Sequence, residues 1–501
     1  MKILNVRQIR QLDAYTIENE PITSIDLMER AAETFVRWFV KKFADDCIPV
    51  VIYCGNGNNG GDGLAIGRLL RQRNYEPKVY WCKISSKNSD DFQTNLKWLQ
   101  KTRTVAIEEV NFYDKFPEFE KGCILIDAIF GSGLNRGVGE YWAELINHLN
   151  QQAVLRISVD IPSGLFADKS TQATTFLADF TFSFELPKFA FFFPENQDRV
   201  GEWICHSIGL DKSFIEAAQT PFFFVDKAFA KGLLKQRKKF AHKGTFGHAL
   251  VVAGSFGKIG AAVLAAKACL RSGAGLVSLH IPKCGYEIVQ SSFPEAMVRV
   301  DKNENFWTAS EDFSQFTSIG VGCGIGTNKL TAKALSKLIE NASQALVLDA
   351  DALNILSMKP ELLKKLPKNS ILTPHPKEFE RLFGTTKNNF ERNELQRQRS
   401  QELEIFIVLK GANTCISCPN GNCYFNSTGN PGMATGGSGD ALTGIITGLL
   451  AQGYSPFDAC ILGVYLHGLA GDLAAKDLEQ EALLAGDLVN YLGKAFKKLK
   501  T

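Results

Sequence analysis

Short apolar runs alternate with segments of helical periodicity along almost the whole chain. In the first half the runs are residues 50–53, 78–81, 124–126, 154–159 and 180–184. In the second half they are residues 248–254, 275–282, 318–322, 344–350, 370–374 and 405–411. A glycine-rich stretch and two more helical segments follow. Apolar runs separated by amphipathic helices are typical of parallel sheets with helices on both faces. The pattern therefore predicts an α/β fold.

A chain of 501 residues exceeds the size that one hydrophobic core normally organises, so we expect two domains. The two sets of runs are separated by residues 210–246, which contain Pro221 and the basic cluster KQRKKFAHKG at 235–244. Domain boundaries usually fall in such segments. We place the boundary near Ala218, which gives domains 1–217 and 218–501. We interpret the basic cluster as a solvated linker.

Composition and charge exclude several classes of protein. Apolar residues make up 45% of the chain and charged residues 22%, as in ordinary globular domains. The net charge of +3 gives no reason to expect a nucleic acid or an anionic membrane as partner. The N-terminus becomes charged too early for a signal peptide and we identify no apolar stretch of membrane-spanning length, so we expect a cytoplasmic protein. The 12 cysteines lie mostly within apolar runs, which favours buried, reduced thiols.

The segment CGNGNNGGDG, residues 54–63, follows the first apolar run. Its glycines have the G-x-G-x-x-G spacing of dinucleotide-binding loops between a strand and a helix. The next predicted strand ends at Lys83 and offers no carboxylate for a ribose hydroxyl, so binding of an ordinary nicotinamide cofactor is poorly supported. Four polar side chains between the glycines can instead bind hydroxyls, an amide or a hard cation: Asn56, Asn58, Asn59 and Asp62.

Other runs of the first domain also end in polar residues. Asp127 and Asp160 each follow a run, and ligands of parallel sheets bind beyond the carboxyl ends of the strands. A lone Asp at such a place often only caps a helix or turn. Together with Asn59 and Ser163, however, these carboxylates offer oxygen ligands for a cation. The segment GSGLNRG, residues 131–137, offers backbone N–H groups and an arginine suited to a phosphate or pyrophosphate.

The second domain contains the segment NPGMATGGSGDALTGIITGLL, residues 430–450. Its glycines precede a helix that we expect to begin near Asp440, so several N–H groups and the positive helix end face one point. Such a loop stabilises charge on a phosphoryl group during transfer, and Asp440 can accept the proton of an attacking hydroxyl. His375 is held in an extended loop between Pro374 and Pro376, and we interpret it as a substrate contact in preference to a core histidine.

These motifs resemble a known family. GNGNNGGDG, DAIFGSGLNRG and DIPSG are similar to the epimerase domain of the NAD(P)H-hydrate repair enzymes. GAGLV, LDADALN, TPHPKEFERL, KGANT and NPGMATGGSGD are similar to their dehydratase domain. The resemblance covers nearly the whole chain. It implies a Rossmann-like, three-layer N-terminal domain and a ribokinase-like C-terminal domain, both with mainly parallel sheets.

The resemblance also implies site residues. In the epimerase domain the substrate would contact Asn58, Asn59, Gly60, Gly61, Asp62, Gly131, Ser132, Gly133, Leu134, Asn135, Arg136, Gly137 and Asp160, with potassium at Asn59, Asp127 and Ser163. In the dehydratase domain it implies substrate contacts at Ala261, Gly324, His375 and Asp440, and nucleotide contacts at Lys410, Gly411, Ala412, Asn413, Thr414 and Gly439. The catalytic candidates are Asp440 and Asp160. Cys323 stands where the family generally has proline, which concerns the rigidity of that loop more than its chemistry.

The implied activity is repair of the hydrated cofactors NADHX and NADPHX. The first domain would interconvert their R and S forms. The second would use ADP and Mg²⁺ to phosphorylate the hydroxyl of the S form, restore NAD(P)H and release AMP and phosphate. Phosphate leaves more readily than hydroxide, so a kinase-like site can perform a dehydration. We expect a homo-oligomer with no nucleic-acid or membrane partner.

Two alternatives remain open at this point. A hydroxyethylthiazole- or pyridoxal-type kinase uses the same G-x-G-D loop, but it would accumulate a phosphorylated product. The N-terminal domain could be a non-catalytic module that binds nucleotides or RNA, as in an mRNA-decapping scaffold. Its intact Asp62, Asp127 and Asp160 and the lack of a broad basic face count against this second alternative.

Overall fold

The computed structural model describes residues 1–118, 122–152, 154–309 and 312–501. These residues form two compact units. We call Lys2–Thr220 the N-terminal unit, and Pro221–Thr501 together with Met1 the C-terminal unit.

The N-terminal unit contains a seven-stranded sheet in which all neighbouring strands are parallel, in the order β3-β2-β1-β4-β5-β6-β7. Parallel strands require helical crossovers, which matches the alternation in the sequence. The strands are β1 (Val50–Cys54), β2 (Pro77–Cys82), β3 (Ala106–Val110), β4 (Ile124–Ala128), β5 (Leu155–Val159), β6 (Phe180–Phe184) and β7 (Glu202–His206).

Helices cover both faces of this sheet. They are α1 (Val6–Asn19), α2 (Ser24–Lys42), α3 (Asn58–Arg71), α4 (Asp90–Thr102), α5 (Glu140–Asn150), α6 (Gln197–Val200) and α7 (Lys212–Ala217). One core joins Phe35 and Leu64 to one face of the sheet, and a second core joins Trp142 and Leu145 to the other. The unit therefore has three layers.

Helix α3 begins earlier than the sequence pattern predicts. It starts at Asn58, with Gly57 as its N-cap residue, so the Asn-rich segment is the first helical turn and not a separate loop. A Cβ atom on Gly60 would overlap the backbone of Gly55. The glycine is needed because the strand end and the helix start approach each other this closely.

The C-terminal unit contains a ten-stranded sheet in the order β11-β10-β9-β12-β13-β14-β15-β16-β17-β8. Neighbouring strands are parallel except that β16 is antiparallel to both β15 and β17. The strands are β8 (Phe222–Val225), β9 (His248–Val252), β10 (Leu276–Ile281), β11 (Met297–Val300), β12 (Ser318–Val321), β13 (Leu346–Leu348), β14 (Ile371–Leu372), β15 (Phe406–Leu409), β16 (Cys415–Ser417) and β17 (Cys423–Asn426).

The helices of the C-terminal unit lie on both faces of its sheet. They are α8 (Lys227–Gly232), α9 (Ile259–Arg271), α10 (Tyr286–Ser292), α11 (Lys329–Asn341), α12 (Asp351–Met358), α13 (Pro376–Phe383), α14 (Asn389–Leu403), α15 (Ser438–Ala451), α16 (Pro456–Leu478) and α17 (Ala485–Lys500). Helices α9 and α15 pack closely, because Gly444 and Gly448 leave no side chain between α15 and the carbonyl groups of Ala265 and Cys269.

Helix α16 corrects one expectation. It has 23 residues and is apolar enough, by length and composition, to cross a membrane, so the expectation that no such stretch exists is wrong. In the fold, 72% of its most apolar window is buried. Its side chains, among them Ile461 and Leu462, form part of a hydrophobic core with α15 and α17.

The predicted fold class is confirmed, and every predicted apolar run forms a strand. The strands that the pattern did not predict include β3, β7, β8 and β11, which are the four edge strands of the two sheets. Strands β16 and β17 form an antiparallel hairpin around residues 419–421. All 12 cysteines are free thiols and most are buried, as expected.

Candidate functional site

The N-terminal unit has a cavity of about 720 Å³ beyond the carboxyl ends of β1, β4 and β5. This volume is within the range of small-molecule sites. The first turn of α3, the loop after β4 and Asp160 after β5 contribute to its lining, together with residues of α1. Eight predicted substrate contacts line it: Asn58, Asn59, Asp62, Gly131, Ser132, Gly133, Leu134 and Asp160.

The other predicted contacts of this unit lie outside that lining. Gly60 and Gly61 belong to the first turn of α3, where Gly60 faces Gly55 and Gly61 faces the side chain of Met28. The remaining three residues, Asn135, Arg136 and Gly137, continue the loop after β4. The carbonyl of Asn135 accepts a hydrogen bond from Lys169.

A buried ion pair lies against this cavity. Lys188 donates from Nζ to Oδ1 of Asp160 at 2.6 Å and to Oγ of Ser183 at 2.9 Å. Asp160 has a φ of 65°, a left-handed conformation that few non-glycine residues adopt. Sequence reasoning selected Asp160 but missed Lys188. The available signal was a single lysine at the start of the aromatic run FAFFF.

Two further carboxyl groups face the ion pair from other helices. Burial raises the pKa of Asp13, on α1, to about 6, and the neighbouring Asp160 adds to the effect while Lys188 opposes it. Burial, followed by the charges of Asp160 and Asp13, raises the pKa of Asp62 far above its ordinary value. The cavity therefore combines the Lys188–Asp160 ion pair with two carboxyl groups whose pKa values are raised, which is suitable for moving protons.

The predicted cation ligands lie at the same edge of the sheet. Asp127 accepts from Ser163 Oγ at 2.5 Å and from the Ser163 backbone N–H at 2.8 Å, and burial raises its pKa to about 6. Within the described parts of the chain, Nδ2 of the buried Asn59 has no hydrogen-bond partner. Rotation of this amide by 180° exchanges its nitrogen and oxygen, so it can offer the oxygen inward. A buried set of carboxylate, hydroxyl and amide groups fits a hard cation such as potassium.

In the C-terminal unit, the glycine-rich segment ends at the start of α15. Gly437 is the N-cap residue, with a φ of 93°, and Asp440 lies in the first turn, so the helix begins two residues before its predicted start. The first N–H groups of a helix have no intrahelical acceptor, and the helix dipole adds positive potential there. This end of α15 can therefore hold an anionic group.

Asp440 lies next to several polar groups. Burial raises the pKa of its carboxyl group, and a hydrogen bond from the Cys323 thiol opposes the increase. Cys323 is buried between two glycines with positive φ. A carboxyl group with a raised pKa is a better proton acceptor than an ordinary Asp.

Lys410 reaches the same place from the end of β15. Its Nζ lies 2.8 Å from Oδ1 of Asp349, whose Oδ2 accepts from Thr443 of α15 at 2.7 Å. A Cβ on Gly439 would lie 3.3 Å from this Nζ, so the lysine is adjacent to the start of α15. Burial alone would lower the pKa of Lys410, but Asp349 and Glu378 outweigh it and raise the pKa. Lys410 is therefore a persistent cation beside the anion-binding end of the helix.

The remaining predicted substrate contacts fall into two places. Gly324, with a φ of 66°, approaches Ala261 so closely that a Cβ would lie 3.3 Å from that of the alanine. His375 instead caps α13: its Nδ1 accepts from the Lys377 N–H at 3.1 Å, and its own N–H donates to Glu378 at 2.9 Å. The histidine side chain is still 44% exposed, and its Nε2 lies 3.4 Å from Oε1 of Glu378.

The predicted nucleotide contacts after Lys410 form a turn before β16. Thr414 closes this turn by donating from Oγ1 to the Gly411 carbonyl at 2.9 Å. Gly411 and Ala412 are exposed, and Asn413 is half-buried. The turn thus presents backbone groups at its surface.

Sequence reasoning also missed a residue beneath the start of α15. His467, on α16, lies 3.0 Å from the Ser438 carbonyl through Nε2. Burial lowers its pKa to about 4, so the ring is neutral and donates this hydrogen bond at neutral pH. His467 fixes the first turn of α15 without adding charge. A histidine inside a long apolar helix gave no signal that distinguishes this role from that of a core residue.

Comparisons with known proteins place both units in one family. Residues 249–494 match the model described as NAD(P)H-hydrate dehydratase, and residues 24–190 match the model described as YjeF-related protein N-terminus. The bifunctional NAD(P)H-hydrate repair enzyme Nnr of Moorella thermoacetica is 34% identical over 100% of this chain and 97% of its own. The protein of the same name from Coxiella burnetii is 34% identical over 97% of each chain.

Among solved structures, the C-terminal part resembles the ADP/ATP-dependent NAD(P)H-hydrate dehydratase from Bacillus subtilis, co-crystallised with ATP and Mg²⁺. The two are 32% identical with a TM-score of 0.50, and the match covers 55% of this chain and 98% of the other.

Proposed function

The chain belongs to the family of bifunctional NAD(P)H-hydrate repair enzymes, and from this premise we propose that it restores hydrated NADH and NADPH in two steps. Residues 1–217 act as an epimerase of the R and S hydrates, and residues 218–501 as an ADP-dependent dehydratase of the S hydrate. The observation that carries the proposal is the meeting of Asp440, Lys410 and the positive end of α15 at one point. This combination suits phosphoryl transfer to an alcohol.

In the dehydratase, Asp440 takes the proton of the substrate hydroxyl while the hydroxyl oxygen attacks the terminal phosphorus of ADP. The bond between this phosphorus and the bridging oxygen breaks, and AMP leaves. The N–H groups at the start of α15, including that of Gly439, hold the negative charge that develops on the transferred group. Lys410, whose Nζ lies beside Gly439, supports the same charge. The ring nitrogen then expels phosphate, and loss of a ring proton restores the reduced cofactor.

Mg²⁺ would neutralise phosphate charge at this site. Asp349 is the carboxylate beside Gly439, but both its oxygens already accept hydrogen bonds, from Lys410 and Thr443. The ion would therefore be held mainly by the nucleotide phosphates and water, as is usual for magnesium in such sites.

In the epimerase, Asp160 is the proposed acid–base group, and Lys188 positions it by donating from Nζ to its Oδ1 at 2.6 Å. The hydroxyl-bearing carbon opens with help from the ring nitrogen and closes on either face. Asp62 and Asp13, whose pKa values are both raised, line the same cavity and can exchange protons with a ligand there. Potassium would bind at Asn59, Asp127 and Ser163, close to the phosphate-binding segment that starts at Gly131. We propose that both reactions take place in the cytoplasm.

The test uses the purified full chain with separated R and S hydrates and ADP, following recovery of reduced-cofactor absorbance and release of phosphate. Both hydrates should be repaired, the S form without delay and the R form after epimerisation. Accumulation of a stable phosphorylated product would contradict the dehydratase assignment. Replacement of ADP by ATP, and of potassium by a larger cation, tests the donor and the cation in the same assay.

A further inference from the structure

A second cavity of the C-terminal unit is not used by the proposed reaction. Its volume is about 780 Å³, and it is formed by the segment after α8, the residues before β9 and the C-terminal ends of α9, α15 and α17. Five lysine and arginine residues line it, with no Asp or Glu among the described lining residues: Lys235, Arg237, Lys238, Arg271 and Lys500. We call it the basic cavity.

The basic cavity and the proposed dehydratase site lie at opposite ends of the same helices. Helix α9 has Ala261 near its start and Arg271 at its end, and α15 has Asp440 in its first turn and ends at Ala451, before Gln452. At 1.5 Å per residue, the 14 residues of α15 separate the two places by roughly 20 Å. A ligand in the basic cavity is therefore distinct from one at the start of α15.

Two of the five cations serve the fold. Lys235 donates to the Gly453 carbonyl at 2.6 Å and lies over the Tyr454 ring, and Arg237 donates to the Gly273 carbonyl at 2.5 Å and lies over the Phe246 ring. These bonds offset the negative ends of α15 and α9. Their positive charges are therefore largely compensated.

The other three cations have no such partner. Within the described ranges, the side chains of Lys238, Arg271 and Lys500 make no hydrogen bond or ion pair, although they line one cavity. Three uncompensated charges around a concave surface create a positive potential that attracts a multiply charged anion. Lysine and arginine are the usual contacts of phosphate groups.

An aromatic side chain completes the basic cavity. Phe240 also lines it and is 91% exposed, which is unusual for a large apolar residue. A free aromatic face beside basic residues is suited to stacking against a nucleobase. We propose that the basic cavity is a second ligand site, for a nucleotide with two or more phosphates, in which Phe240 stacks on the base and Lys238, Arg271 and Lys500 bind the phosphates.

The test measures binding of ADP to the full chain by calorimetry. The triple variant Lys238→Ala, Arg271→Ala, Lys500→Ala should bind one ADP per chain fewer than the wild type. The matched control removes three exposed lysines elsewhere in the same unit, Lys333→Ala, Lys337→Ala and Lys364→Ala, and should retain the wild-type stoichiometry. Equal loss in both triple variants, or no loss in the first, overturns the proposal.

A second pair of variants tests the base. Phe240→Ala should weaken ADP binding at this site roughly tenfold while leaving pyrophosphate binding unchanged. Tyr113→Ala, which removes an aromatic residue 83% exposed in the N-terminal unit, should change neither. If pyrophosphate binds the wild-type cavity as tightly as ADP does, the ligand is not a nucleotide. If Phe240→Ala changes only the oligomeric state, the surface is a contact between copies of the chain and the proposal is wrong.

Discussion

Lys188 donates from Nζ to Oδ1 of Asp160 at 2.6 Å, although the lysine side chain is only 1% exposed. The ammonium group is stabilised by further acceptors, Ser183 Oγ at 2.9 Å and the Leu186 carbonyl at 3.2 Å. A charge buried to this degree is maintained only by such a complete set of partners. The pair fixes the Asp160 side chain at the wall of the cavity in the N-terminal unit.

Replacement of Lys188 by Met tests this relationship. The variant leaves Asp160 without its cation, so we expect the free energy of unfolding to decrease by about 3–5 kcal/mol. Repair of the R hydrate should be lost. Urea unfolding and the two-hydrate assay measure the two effects. Lys169→Met, an exposed lysine of the same unit, should change stability by no more than about 0.5 kcal/mol. Equal stability losses in the two variants would show that the buried pair has no special role.

Replacement of Asp160 by Asn separates the two activities. The amide cannot act as the acid–base group, so repair of the R hydrate should stall, while dehydration of the S hydrate by the other unit should continue at the wild-type rate. The measurement is the recovery of reduced cofactor from each separated hydrate. Equal losses for both hydrates would contradict the division of labour between the two units.

Asp13 makes stability depend on pH in a defined direction. Its pKa in the folded protein is about 6, raised by burial and by Asp160, whereas an ordinary Asp loses its proton near pH 4. Between these values the folded state binds more protons than the unfolded state, so the contribution of Asp13 to stability falls as the pH rises and is fully lost above about pH 6.

Asp13→Asn removes this loss. The variant should match the wild type near pH 4 and become more stable than it by about 1–3 kcal/mol at pH 7. Urea unfolding across this range measures the difference. Glu33→Gln, at an exposed position of α2, is the control and should differ little from the wild type at any pH. A constant difference between Asp13→Asn and the wild type would mean that the pKa is not raised.

The sequence predicted the centre of each sheet better than its edges. Central strands such as β9, HALVV, are buried on both faces and appear as apolar runs. Edge strand β3, AIEEV, exposes both glutamates and gives no such signal. Edge strand β8, FFFV, lies within the boundary segment 210–246, and its neighbour in the sheet, β17, is far away in the chain. Pairing between distant segments is not encoded in local periodicity.

The candidate sites show the same limit. Polar residues that directly follow a predicted strand, such as Asp127 and Asp160, were found because the topology places strand ends together. Lys188 and His467 were missed because they act through partners distant in the sequence, Asp160 and Ser438. The capping role of His375 depends on the exact start of α13, which periodicity does not define.

Cys323 should tune the proton affinity of Asp440. Its thiol favours the ionised carboxylate, so Cys323→Ala should raise the pKa of Asp440 further. Because the base must be ionised, the acid limb of the pH profile for S-hydrate turnover should move to higher pH. Cys323→Ser retains a donor and should restore the profile. Cys269→Ala, a buried cysteine of α9, should leave it unchanged. Identical profiles for the Ala variant and the wild type would exclude this role of the thiol.

Asp440→Asn tests the chemical step of the dehydratase. The amide keeps the size of the side chain and its place in the first turn of α15. The N–H groups and Lys410 therefore still hold the nucleotide. The affinity for ADP should remain within a few-fold of the wild type. Turnover of the S hydrate should fall by a factor of about 10²–10⁴, the usual contribution of a positioned general base. Calorimetry and cofactor recovery measure the two quantities.

Thr443→Val, which removes a hydrogen bond to Asp349 without touching Asp440, is the control and should retain more activity. Near wild-type turnover in Asp440→Asn would show that another group accepts the proton.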